Sequence, residues 1–171
     1  MSYTASSIGL NHIDIVGPLL PVTGAFLLPF TTYFGVLSTR VVLQRLATRT
    51  VLGTDAPAIH MAKPGSEAPT PPATSNEALL IASRCQANFV EHVPLALFIA
   101  GVAELNGAPK KVITLSLSGL LAARILHVEM GLRRPGAAGI GRTVGYYGTL
   151  GVMTFLAGYA GYLVKGYWGY K

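Results

Sequence analysis

The stretch Arg84-Cys85-Gln86-Ala87-Asn88-Phe89-Val90-Glu91-His92-Val93-Pro94 decides how this chain is read. Arg84, Asn88 and Glu91 stand at i, i+4 and i+7, so a helix carries all three on one face. The residues around them, from Ala78 to Leu105, are mostly apolar. Polar stripes on so apolar a helix mark a bundle interior or a wet cavity at membrane depth. Two further apolar runs repeat the pattern: Arg124 and His127 stand at i and i+3, and Arg142 precedes Tyr146 by one turn.

Outward from that stretch, the chain reads as membrane helices. Only 12% of its residues are charged, against roughly 25% in a soluble domain. Ile15 to Thr39 holds no charged residue, and neither does Thr143 to Val164; each can cross about 30 Å of hydrocarbon. The first run lacks a basic region before it and is too long for a signal peptide, so it reads as a retained helix. Pro18, Pro21 and Pro29 are tolerable there because neighbouring helices can satisfy the freed carbonyls. The twenty glycines suit helices packed closely in lipid.

The boundaries follow from stop and start signals. Ser75 or Asn76 can cap the second helix, and Asn106-Gly107 with Pro109 ends it. Arg133-Arg134-Pro135-Gly136 stops the third. The expected fold is all-α, a single-domain integral membrane four-helix bundle, with helices over about 15–49, 76–105, 110–132 and 140–164. Residues 50–75, with five prolines, form a loop. Tyr159, Tyr162, Tyr167, Trp168 and Tyr170 suggest an aromatic belt at the exit.

Charge narrows the function classes. The net charge is +6, but the basic residues sit at the ends of apolar runs and not on one solvated face, which excludes nucleic acid as the partner. Arg40, Arg45, Arg49, Lys63, Arg133, Arg134 and Arg142 flank the odd-numbered loops, against Lys110, Lys111, Lys165 and Lys171 on the other side. Seven against four puts both termini outside or lumenal. The single cysteine, Cys85, gives no intramolecular disulfide, and the four histidines lack metal-ligand spacing, so no metal is expected. Gly139-Ile140-Gly141-Arg142-Thr143-Val144-Gly145 lacks a preceding strand and is no nucleotide loop. Gly141, Gly145, Gly148 and Gly151 instead let the fourth helix pack closely.

A purely structural network would pair Glu91 with Arg84 or Arg124 and turn Asn88 to a backbone carbonyl. The set holds more arginines than such packing needs, and arginine without matching carboxylate implies an anionic ligand. Glutathione fits: arginines take its carboxylates, Glu91 its ammonium, and one guanidinium its thiolate. His127 reads as a structural hydrogen-bond partner, and Cys85 as inert packing.

These residues resemble the MAPEG family (membrane-associated proteins in eicosanoid and glutathione metabolism). Arg84 to Pro94 is similar to its second-helix signature, Ala123-Arg124-Ile125-Leu126-His127 to its third, and Gly141-Arg142-Thr143-Val144-Gly145-Tyr146 to the start of its fourth. The likeness covers most of residues 15 to 165 in order and spacing. It implies a homotrimer that binds glutathione between subunits near the cytoplasmic side. It implies glutathione contacts at Arg40, Arg84, Asn88, Glu91, Arg124, His127 and Tyr146, with Arg142 stabilising the thiolate; Thr143 is a further candidate donor to the sulfur. The implied activity is a microsomal-type glutathione transferase or peroxidase acting on a lipophilic substrate from the bilayer. Its setting would be the endoplasmic reticulum or another endomembrane in a eukaryote, or the inner membrane in a bacterium. Two departures argue against a dedicated leukotriene or prostaglandin synthase: Gly131 and His92 stand where those enzymes usually have tyrosine. A non-catalytic lipid-binding protein and a small transporter remain as alternatives.

Overall fold

A computed structural model describes residues 19–48, 75–134, 137 and 139–169. Four long helices are present: α1 (Pro21–Thr48), α2 (Ser75–Leu105), α3 (Lys110–His127) and α4 (Ile140–Leu163). α3 runs directly into one π-helical segment, Val128–Leu132, and α4 into a short 3-10 turn, Lys165–Trp168. The expected helices lie where these are found, within a residue for α2, for α4 and for α3 taken together with its π segment. Positions 15–18, the proline-rich loop up to residue 74, Arg49, Lys63, Tyr170 and Lys171 lie outside the described residues.

Local chemistry sets the ends. α2 stops in a Schellman turn: Gly107 takes φ 86, its N–H donates to Glu104 O, and Ala108 N–H donates to Ala103 O. Asn106 Nδ2 also donates to Val102 O at 2.7 Å. Pro109 then precedes α3, where its missing N–H costs nothing. α1 is capped from a distance. The Glu104 carboxylate at the end of α2 accepts from Val22 N–H at 2.7 Å and Thr23 N–H at 2.8 Å. It therefore fills the role that a local N-cap side chain would have, with the sign the helix dipole favours.

The helices run antiparallel to their chain neighbours around Phe30, Leu37, Phe89, Ile113, Leu117 and Leu156. The outside is as apolar as the inside, with Leu28 and Leu115 each 74% exposed, which lipid accepts and water does not. α1, α2 and α3 with its π segment are long and apolar enough to cross a membrane. α4 has the length to do the same, about 36 Å at 1.5 Å per residue. Along it, the rings of Phe155, Tyr159 and Tyr162 stack in turn, and Lys165 Nζ lies 4.3 Å from the Tyr162 ring centre.

α3 and α4 touch backbone to backbone, and glycine makes this possible. A Cβ on Gly145 would sit 2.5 Å from both Ala123 O and His127 Cβ, and one on Gly131 would sit 2.5 Å from Arg142 N. A Cβ on Gly139 would meet Met130 O at 2.1 Å, and one on Gly141 would meet Leu126 O at 2.4 Å. Gly148 makes only an ordinary contact, and Gly151, expected in the same row, has nothing within 4 Å. The close row thus runs from Gly145 back to Gly131, toward the end of the bundle where α1 and α3 finish and α2 and α4 begin.

Candidate functional site

That end of the bundle holds the polar stripe. Arg84, Asn88 and Glu91 from α2 and Arg142 from α4 line one cavity of about 360 Å³, closed on its apolar sides by Leu80, Ile81 and Leu132. The i, i+4, i+7 spacing supplies the α2 side. The glycine row supplies the other, because it lets the first turn of α4 lie against the end of α3. Arg84, Glu91 and Arg142 are all exposed. Among the described residues neither Arg84 nor Glu91 has an ion-pair partner. Among the described residues the Arg142 side chain makes one long hydrogen bond, from Nη1 to Ala137 O at 3.3 Å. The pairing of Glu91 with Arg84 or Arg124 that a purely structural network would make is therefore absent among the described residues.

Arg124 and His127 stand behind the cavity and not in its lining. Arg124 is 1% exposed; Nη1 donates to Asn88 Oδ1 and Nη2 to Gly145 O, each at 2.8 Å. His127, buried, bonds through Nδ1 to Arg142 O at 2.9 Å, and since a carbonyl only accepts, Nδ1 carries the proton. This is the structural hydrogen bond expected of it. Tyr146 lies beside the site, partly exposed, edge-on to His92 with ring centres 6.1 Å apart. His92 Nδ1 in turn bonds to Asn88 O at 2.9 Å.

Arg40 is elsewhere. It lines a second cavity of about 260 Å³ between α1 and α2, with Gln44, Cys85 and Arg133. Its Nη1 lies 2.5 Å from Glu129 Oε1, while Arg133 pairs with the other carboxylate oxygen. Tyr33 O–H donates to Glu129 as well, at 3.4 Å. Cys85 is buried in the core. Glu129 is the residue that sequence reasoning missed. Its signal was present, since Glu129 and Arg133 have the i, i+4 spacing and order of a helical ion pair. Gln86 Nε2 donates to Ser38 Oγ at 2.9 Å and ties α2 to α1. Among the described residues no three histidine, cysteine or carboxylate side chains gather as metal ligands would.

Gly131 accounts for one departure noted in the sequence. Arg142 backbone fills the space into which a side chain at 131 would project, so a tyrosine there is sterically impossible in this arrangement.

Fold and site together define a multi-pass membrane protein with a helical bundle and a polar cavity at one end of it. The chain belongs to the MAPEG family, whose family model matches residues 23–162. Searches of curated proteins and of solved structures found no match.

Proposed function

We propose that this protein binds glutathione in the cavity of Arg84, Asn88, Glu91 and Arg142 and activates its thiol for attack on a lipophilic electrophile or hydroperoxide. One observation carries the reading: at the end of an apolar bundle, one cavity gathers two exposed arginines and a carboxylate that has no ion-pair partner among the described residues. A ligand with both carboxylate and ammonium groups complements such a set. Family membership supports the same ligand.

The chemistry asks little of the protein. A free thiol has a pKa of roughly 8.5 and is mostly protonated at neutral pH. A guanidinium beside the sulfur favours the thiolate without itself giving up a proton. The thiolate is the nucleophile, and an apolar substrate entering from the bilayer meets it already positioned. Arg142 takes that role in this reading, with Arg84, Asn88 and Glu91 holding the peptide. Arg40, which lines another cavity, acts here on the glutathione of a neighbouring subunit in a homotrimer. The membrane is an endomembrane in a eukaryote or the inner membrane in a bacterium.

The test is glutathione binding to detergent-purified protein, followed by the ultraviolet absorbance of the thiolate, with Arg142→Ala alongside. Binding to both, with thiolate in the wild type alone, is the expected result. No binding at millimolar glutathione would remove the enzyme reading and favour a lipid-binding role. Glutathione binding without thiolate in either protein would remove Arg142 from the chemistry.

A further inference from the structure

Arg124 is a buried cation without a counter-ion. Its side chain is among the largest fully buried ones, and among the described residues no carboxylate pairs with it. Its Nε has no hydrogen-bond partner among the described residues. Its remaining nitrogens meet two uncharged acceptors, Asn88 Oδ1 and Gly145 O. Burying a guanidinium this way costs several kcal/mol, and an apolar side chain of similar length would tie the same helices at less cost. A packing role alone does not account for the charge.

The chemistry of the contact is directional. A guanidinium carries donors only, whereas a carboxamide presents an acceptor at one end and two donors at the other. Asn88 can face Arg124 only through Oδ1, because the reversed amide would set N–H against N–H at 2.8 Å. Asn88 also lines the cavity, and its Nδ2 has no hydrogen bond to another described residue. We propose that Arg124 is a positioning residue that locks the Asn88 amide with its N–H₂ turned to the cavity, so that position 88 accepts only a carboxylate or carbonyl oxygen of the ligand. Arg124 thus acts through Asn88 and does not touch the ligand itself. Its field adds to the effect, since an uncompensated charge in a poorly solvated wall favours an anion nearby. The inference about the ligand rests on the cavity being the glutathione site, but the lock itself is independent of the ligand's identity.

The test uses the full chain in detergent, with Asn88→Asp, Arg124→Gln and the double variant. Thermal unfolding is measured without ligand, and glutathione affinity by calorimetry. Asn88→Asp gives Arg124 its missing counter-ion, so it unfolds at or above the wild-type temperature. In the Arg124→Gln background the same change leaves a half-buried carboxylate without the cation it faced and lowers the unfolding temperature. Although firmer, Asn88→Asp loses glutathione affinity about ten- to a hundredfold, because an acceptor now faces the ligand's oxygen. A merely structural role would move stability and affinity together. Wild-type affinity in Asn88→Asp would overturn the proposal and leave the glutathione reading intact. The same unfolding shift in both backgrounds would also overturn it. If the wild type binds no glutathione, the ligand reading falls and the coupling in unfolding alone decides the lock. Should Arg124→Gln not fold, Asn88→Asp alone decides, and unfolding below the wild type refutes the lock.

Discussion

Replacing Gly131 by alanine tests how closely α3 and α4 approach. The added Cβ would lie 2.5 Å from Arg142 N, 2.7 Å from Arg142 Cα and 3.0 Å from Arg142 Cβ. Two of these three partners are backbone, which no rotamer change can move aside, so the first turn of α4 must shift outward. Overpacking in a tight contact costs typically 1–3 kcal/mol, and backbone contact puts this case at about 2–3 kcal/mol. The proper control is Gly119→Ala on the same helix, where nothing lies within 4 Å of the added carbon. That substitution gains helix propensity and is stabilising by up to about 1 kcal/mol. Thermal unfolding in detergent, followed by helical circular dichroism, compares the two. The shift also moves Arg142, and a displacement of about 1 Å at a reacting group can cost about a hundredfold in rate. Gly131→Ala is therefore expected to lose the thiolate absorbance or most of the turnover, while Gly119→Ala keeps both. Equal stability in the two variants would refute the close backbone contact, and with it the placement of Arg142.

Two further outcomes follow from the polar ties outside the cavity. Glu129→Gln leaves Arg40 and Arg133 without their shared carboxylate. These groups are about a third to a half exposed, so the loss is discounted to about 1 kcal/mol. It should shrink in high salt when unfolding is measured at two ionic strengths. Glu104→Gln removes the charge that caps α1, costing about 1 kcal/mol, and should speed amide hydrogen exchange at Val22 and Thr23 relative to the middle of α1.

The helices were legible because apolar runs and their stop signals are local properties. Gly107 and Pro109 ended α2 where turn chemistry requires, and the spacing of Arg84, Asn88 and Glu91 placed them on one lining. What the spacing could not give was depth. Arg84 and Arg124 look alike as arginines on apolar helices, yet one opens to the cavity and the other is 1% exposed behind it. That difference arises from how α3 rotates against α2 and α4, which no single helix encodes. The glycine row shows the same limit. Gly151 shares the small-residue pattern of Gly145 but falls on the open side of α4, while Gly131 lies beyond the pattern and is the more confined. The π-helical segment that contains Gly131 shifts the register at the end of α3, and a reading at constant helical period does not anticipate it.

The carboxylate of Glu104 carries a consequence for synthesis. It lies 82 positions after the amide of Val22 that it receives. At about 5–20 residues per second, a ribosome delivers Glu104 some 4–16 s after Val22. Through that interval the leading turn of the first helix has no carboxylate from α2 to hold it. α1 is thus completed only once α2 has returned across the membrane, making the pair of them, not either alone, the smallest unit able to fix this edge.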